Sequence, residues 1–338
     1  MERRVFIDQF GKAAIASLFP SALLSFDPVM ATSHMGKSIN FGIITDVHKD
    51  LMPDADRRLE TFIKRTIELK VDFIIQLGDF CMAETANKKF LGIWERFKGP
   101  KYHVLGNHDM DRHSKQQMLD FWGMPKTYYS FDFGGFHFIV LDANFIYQDG
   151  KYIDYDKANF YIESSARTYI NEEQIEWFKA DLERTRLSTI IFSHQSLWHH
   201  LWGVKNRLSL QKILEAHKEK VICCMNGHNH IDFHRYVNGI DYIDINSSSY
   251  QWIGNDKYTS KDRFPKVEYE RYKSLPNIAG YKDPLFAFAS LNPEGILQIE
   301  GIESQWMEPS PYGLGMPKGI EGTVFTPAIS NYHITFKS

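Results

Sequence analysis

Five times along this chain a short apolar run ends in a tight cluster of glycine, aspartate, asparagine or histidine. Residues 41–45 close in Asp46-Val47-His48, and residues 71–77 in Gly78-Asp79. Residues 102–105 close in Gly106-Asn107-His108-Asp109, residues 189–192 in Ser193-His194, and residues 221–225 in Asn226-Gly227-His228-Asn229-His230. Apolar runs of this length read as strands buried on both faces. Segments with helical spacing separate the first three, for example Leu59, Phe62, Ile63, Ile67 and Leu69 within residues 54–70. Such alternation predicts an α/β sheet, in which sites gather beyond the carboxyl ends of the strands. In extended backbone, positions i and i+2 point the same way. Asp46 with His48, and His228 with His230, therefore each aim two side chains at one spot, and Gly227 lets the chain turn sharply just ahead of His228.

The remaining segments fill in around that frame. Helices are expected over 84–97, 113–122, 171–187 and 208–218, with Asn171 as N-cap and Glu172-Glu173 in the first turn of the third. Gly134-Gly135 and Asn238-Gly239 read as tight turns of two hairpins, 128–141 and 233–245. Asp142-Ala143-Asn144 ends the first hairpin. Strands over 285–290 and 296–302 close a body that runs from 36 to 303. Residues 145–170 and 250–284 are aromatic and charged without a clear period. They read as insertions that could cap a site, where Tyr and Trp could stack on a base or a sugar. The tail, 304–338, is rich in proline and glycine and is expected to be irregular.

At the N-terminus, Arg3-Arg4-Val5-Phe6-Ile7 precedes an apolar stretch over 13–24, and Val29-Met30-Ala31 offers a cleavage point. The pattern resembles a twin-arginine export signal over residues 1–35 and implies a periplasmic or otherwise exported protein. The alternative is an amphipathic N-terminal helix of a cytoplasmic protein. The stretch is too short, and too interrupted at Pro20, to span a membrane. With a net charge of −3 and acidic and basic residues mixed along the chain, neither nucleic-acid nor membrane-surface binding is expected. Cys81, Cys223 and Cys224 read as buried thiols rather than as a disulfide framework.

In order and spacing, the five clusters closely resemble those of the calcineurin-like metallophosphoesterase superfamily, across residues 40–302. The resemblance implies a four-layer α-β-β-α sandwich of two mixed sheets flanked by helices. It also implies two divalent ions, such as manganese, iron or zinc. Asp79 would bridge them, Asp46, His48 and His230 would complete one shell, and Asn107, His194 and His228 the other. Two carboxylates leave the pair of dications net positive, which attracts phosphate and acidifies bound water. By the same resemblance His108 would protonate the leaving-group oxygen and Asp109 would orient it. The reaction implied is attack of a metal-bound hydroxide on a phosphomonoester or phosphodiester of a small phosphorylated molecule. One departure narrows the subgroup. Phe80-Cys81-Met82 follows Gly78-Asp79, so the tyrosine ligand of the purple acid phosphatases is missing. Arg112, three residues past Asp109, and His199-His200, beside Trp198 and Trp202, are candidate substrate-binding residues. Two alternatives stay open: a metal-binding surface protein without turnover, and a cytoplasmic nucleotide phosphohydrolase.

Overall fold

A computed structural model describes residues 37–254, 257–320 and 323–337. In it β1 (Ile39–Ile44), α1 (Ala55–Leu69), β2 (Phe73–Gln76), α2 (Lys88–Trp94), β3 (Lys101–His103) and α3 (Lys115–Trp122) alternate as expected. The hairpin of β4 (Tyr129–Phe133) and β5 (Phe136–Leu141) comes next, then β6 (Phe145–Gln148), β7 (Lys151–Asp154) and β8 (Arg167–Tyr169). After these come α4 (Glu172–Arg184), β9 (Thr189–Ser193), α5 (Arg207–Ala216), β10 (Val221–Asn226), β11 (Phe233–Val237) and β12 (Ile240–Asp244). The C-terminal part holds β13 (Tyr250–Trp252), α6 (Glu268–Arg271), β14 (Ile278–Gly280), β15 (Ala287–Asn292) and β16 (Ile296–Glu300). Three short strands end the chain: β17 (Gly319–Ile320), β18 (Thr323–Val324) and β19 (Tyr332–Thr335).

Two six-stranded sheets carry the body, in the orders β19-β16-β15-β1-β2-β3 and β11-β12-β10-β9-β5-β4. Each is mixed. β1, β2 and β3 run parallel while β15 opposes β1. β5, β9, β10 and β12 run parallel while β4 and β11 oppose their neighbours. The sheets meet face to face through aromatic rings. Phe41 and Phe73 stack at 4.6 Å, and Phe138 of the other sheet meets their edges at 6.0 and 5.3 Å. On the outer face of the first sheet, Phe62 of α1 and Trp94 of α2 join one cluster with Ile44 and Ile74. On the outer face of the second, Phe178 and Leu182 of α4 and Leu210 and Leu214 of α5 pack with Ile139 and Ile191. The result is the four-layer α-β-β-α sandwich. Burial on both faces is why the strands read as unbroken apolar runs, each large side chain contributing about 1.5–3 kcal/mol.

Several boundaries differ from expectation. Asn171 does cap α4, accepting from Gln174 N at 3.0 Å. The helix expected from residue 84 starts with a 3₁₀ turn, Thr85–Asn87, and becomes α-helical only at Lys88. Residues 145–170 form a three-stranded sheet, β7-β6-β8. Its hairpin turns at Asp149-Gly150, where both φ are positive (51° and 75°). The tail is not wholly irregular: β19 pairs antiparallel with β16, placing Ile334 opposite Leu297 at the sheet edge. A buried Lys115 pins the 145–170 segment to the body, its Nζ 2.7 Å from Asp142 and 2.8 Å from Asp154, over the Phe145 ring. Among the described residues no helix is long and apolar enough to cross a membrane. The expected export signal lies outside the described residues.

Candidate metal centre

The parallel strands β1, β2 and β3, and β9 with β10, deliver their C-terminal tips to one place. Backbone contacts stitch the tips together: Asp46 N donates to Gly78 O at 3.0 Å, and Gly227 N to His194 O at 3.1 Å. His228 N donates across the sheets to Asp46 Oδ2 at 3.0 Å. Approach is so close that two cluster glycines have no room for a side chain. A Cβ on Gly106 would stand 2.1 Å from Asp79 N, and one on Gly227 would stand 2.1 Å from Thr45 Oγ1.

Two groups of potential ligands result, Asp46 with His48 and His230, and Asp79 with His194 and His228. In the first, His230 Nε2 lies 3.1 Å from Asp46 Oδ1 and 3.2 Å from His48 Nε2. In the second, His194 Nε2 lies 3.2 Å from Asp79 Oδ2 and 3.3 Å from His228 Nδ1. Asp79 Oδ2 is also 3.7 Å from His48 Nε2, so this carboxylate stands between the groups. Asn107 is buried beside them, and its Oδ1 has no hydrogen-bond partner. Asp46, His48, Asp79, His228 and His230 all hold left-handed backbone, with φ between 51° and 65°. That conformation costs a residue other than glycine about 1–3 kcal/mol and persists only where the surroundings enforce it. Here the enforcers include Ser247 and Ser249, whose hydroxyls donate to Asp46 O and Val47 O at 3.0 Å. Nothing in the sequence pattern marks this serine run as part of the site.

Backbone carbonyls fix the histidine tautomers. His194 Nδ1 donates to Leu77 O and His230 Nδ1 to Tyr250 O, each at 2.7 Å. Each ring therefore turns a bare Nε2 lone pair toward carboxylate oxygen, an arrangement that a cation between them would satisfy. Without one, the field holds a proton instead. Burial pulls His194 down, yet Asp79 and Asp46 outweigh it and raise the imidazole to about 9. Burial together with the neighbouring His194 lowers His228 to about 3. Asp46 and Asp79 both stay well below the usual carboxylate range, because the surrounding imidazoles overcome their burial. Two carboxylates, four imidazoles and an orphaned amide oxygen make a mixed N/O set suited to manganese, iron or zinc.

His108 stands beside the groups, its N–H donating to Asp79 Oδ1 at 2.8 Å. Its expected orienter is corrected. The Asp109 carboxylate is turned into the protein, accepting the backbone N–H groups of Asp79, Phe80 and Gly106 at 2.8–3.0 Å. Asp111 takes its place, with Oδ2 2.9 Å from His108 Nδ1. From the 145–170 segment, Tyr161 OH donates to Asp111 Oδ1 at 3.1 Å and sits 3.3 Å from His108 Nδ1. Although burial pulls His108 down, Asp79 and Asp111 prevail and raise it to about 9. Of the candidate substrate-binding residues, Arg112 lines a cavity beside His108 and pairs with Glu84 at 3.7 Å. The pair His199-His200 is not brought to the site. The His199 ring stacks on Trp202 at 4.6 Å, and Leu201 and Trp202 line the cavity instead.

Two cavities open over the ligands. The larger, about 780 Å³, reaches both groups through His48, Asp79, Asn107, His228 and His230, and is walled by Tyr161, Trp202, Tyr250, Trp252 and Tyr258 with Arg167 and Lys205. The smaller, about 420 Å³, meets only His48 and Asp79 of the ligands and continues past His108 to Lys49, Arg112, Arg271 and Lys273.

The chain is similar to known proteins. The family model for calcineurin-like phosphoesterase matches residues 39–232. A manganese-dependent ADP-ribose/CDP-alcohol diphosphatase of Arabidopsis thaliana is 23% identical over 66% of this chain and 96% of its own length. A protein of the same description from Oryza sativa subsp. japonica is 28% identical over 31% of this chain and 40% of its own. Among solved structures, a dimetal phosphatase from Danio rerio matches with a TM-score of 0.56 and 17% identity, over 80% of this chain and 98% of that one. The Plasmodium protein GAP50, the anchor in the inner membrane complex, matches at 0.55 and 16% over 89% and 90%. These last two speak for the fold. With a matching family model across more than half of its length and the ligand groups assembled, the chain belongs to the calcineurin-like phosphoesterase family, as a dinuclear metal-dependent hydrolase of phosphate esters.

Proposed function

We propose that this hydrolase cleaves the diphosphate bridge of small molecules carrying an aromatic, nucleoside-like group. The observation that carries the reading is the larger cavity. It spans both ligand groups, it far exceeds a phosphate, and Trp202, Tyr250, Trp252 and Tyr258 offer rings for a base. Arg167 and Lys205 add positive charge for phosphoryl oxygens. The description of the Arabidopsis and rice relatives as ADP-ribose/CDP-alcohol diphosphatases supports the same class.

Asp46, His48 and His230 would hold one ion, Asn107, His194 and His228 the other, and Asp79 both. When bound, two dications polarise the phosphoryl oxygens and acidify water. The protein does the rest. Leu77 O and Tyr250 O keep the His194 and His230 rings turned so that each Nε2 faces the Asp79 and Asp46 carboxylates, where it would be free to ligate. Asp111 holds His108 Nδ1, leaving Nε2 to give its proton to the departing oxygen. Asp109 holds the loop tips by their N–H groups, which sets the spacing of Asp79 and Asn107. A panel of nucleoside diphosphate esters, mononucleotides and nitrophenyl phosphates, assayed with manganese, tests the reading. Turnover of the diphosphate esters at least about tenfold above the others is expected; preference for simple monoesters would overturn it.

We also infer export. Arg3-Arg4-Val5-Phe6-Ile7 with the apolar stretch behind it supports a twin-arginine route, which carries folded proteins and suits a metal-loaded one. Intact mass of the mature protein tests this, with loss of about the first 31–35 residues expected and a full-length periplasm-free product contradicting it.

A further inference from the structure

The two cavities share several lining residues, among them His48, Asp79, His108, Asp111 and Tyr161, but they differ in what else they reach. The cationic cavity meets only His48 and Asp79 of the ligands, whereas the aromatic cavity also takes in Asn107, His228 and His230, so the attacked phosphorus belongs at the floor of the aromatic one. The cationic cavity meets the floor from the side of His108, the residue placed to protonate a departing oxygen. Attack and departure lie on opposite sides of phosphorus, so the leaving group points toward His108. We propose that the cationic cavity is a leaving-group subsite that takes a second phosphoryl group, while the aromatic moiety stays esterified to the attacked phosphorus. This rests on the diphosphate reading above and adds a direction to it.

The charges support an anionic occupant. Every carboxylate on that wall is already engaged. Asp50 accepts from Met82 N and Asn87 Nδ2, each at 2.8 Å. Asp111 is held by His108 and Tyr161, Asp109 by three backbone N–H groups, and Asp79 faces the ligand groups. The cations are less committed. Lys49 pairs with the exposed Asp56 at 2.7 Å, and Arg112 meets Glu84 only at 3.7 Å. Among the described residues, Arg271 and Lys273 have no ion-pair partner, and Arg271 lies 5.0 Å over the Tyr272 ring. Both are exposed on the 250–284 segment. A phosphoryl group there would gain charge-assisted hydrogen bonds that a neutral leaving group cannot make.

The step balances simply. Water oxygen bonds to the nucleoside-side phosphorus, and the bond from that phosphorus to the bridging oxygen breaks. The bridging oxygen leaves with the second phosphoryl group and takes a proton from His108; a water proton is released. The products are two phosphomonoesters.

Hydrolysis of adenosine 5′-diphosphoglucose in oxygen-18 water by the full manganese-loaded chain tests the direction. All label is expected in AMP; label in glucose 1-phosphate would overturn the inference while leaving the diphosphate reading intact. A double variant, Arg271→Ala with Lys273→Ala, is expected to lose about tenfold in kcat/KM on that substrate. On adenosine 5′-(4-nitrophenyl) phosphate, whose leaving group carries no phosphate, it should stay within about twofold. An equal loss on both, at unchanged melting temperature, would overturn the subsite. If neither compound is turned over, the diphosphate reading falls and takes this inference with it.

Discussion

The floor of the site and its rim are built on different terms. At the floor, side chains from five strand tips converge with almost no freedom. Five of them hold left-handed backbone, and serine hydroxyls, carbonyls and the inward Asp109 carboxylate fix the rest. Much of the rim comes from residues 145–170 and 250–284, with Trp202 and Lys205 beside them. There Tyr161 is largely exposed, Trp252 is about half exposed, and short strands and a four-residue helix replace the sheet. The contrast teaches that the chemistry is held by enforced geometry and the specificity by side chains with room to change. Damage at the floor should abolish every activity; damage at the rim should sort substrates.

The sharpest test of that division is Asp79→Asn. It removes the charge shared by both groups, and activity on all substrates should fall on the order of 10⁴-fold or more, as when a catalytic unit is lost. A loss confined to diphosphate esters would break the comparison. Next is His108→Ala, expected to cost about 10²–10⁴-fold on alkyl leaving groups and much less on nitrophenolate, which departs unaided. Asp111→Asn should follow the same leaving-group dependence at about 10–100-fold, the scale of removing a residue that orients another. Asp109→Ala should instead lower the melting temperature, because each N–H left unbonded costs about 1–3 kcal/mol. If Asp109→Ala showed the leaving-group dependence and Asp111→Asn did not, the orienting roles are reversed.

Metal affinity should climb with pH. His194 of the metal-free protein, raised to about 9, must give up its proton to become a ligand. Below that pH a cation displaces a proton, so affinity should rise by up to about tenfold per pH unit until pH 9. Calorimetric titration in buffers of different ionisation enthalpy would detect the released proton, and pH-independent binding would contradict it. The smallest effect belongs to the rim. Trp252→Ala should raise KM for nucleoside diphosphate esters by about fivefold, the low end of the 1–3 kcal/mol of base stacking, since the ring is half exposed. Nitrophenyl phosphate turnover should stay within about twofold.

The floor was legible in the sequence because chemistry demands particular residue types at strand ends, and unbroken apolar runs announce those strands. Asp109 is next to His108 in sequence but not its partner in space. After Asn107 the chain makes a 3₁₀ turn, His108–Met110, which brings the side chains of i and i+3 into line. Asp111 is that i+3 partner, and a period of three would have found it. In the rim, Asp149-Gly150 is an ordinary two-residue hairpin signal. The aromatic and charged residues around it hid the alternation. His199 and His200 lie close to the His194 strand in sequence, but the turn that follows lays Leu201 and Trp202 on the wall. In the tail, Tyr332-His333-Ile334-Thr335 is too short a pattern to stand out, and only pairing with β16 makes it a strand.

Elemental analysis of the purified protein beside its Asp79→Asn variant addresses the convergence of strand tips most directly. Two divalent ions per wild-type chain, and less than one in the variant, are expected. A single ion in the active wild type, or an undiminished count in the variant, would contradict a shared pair of ions held at Asp79.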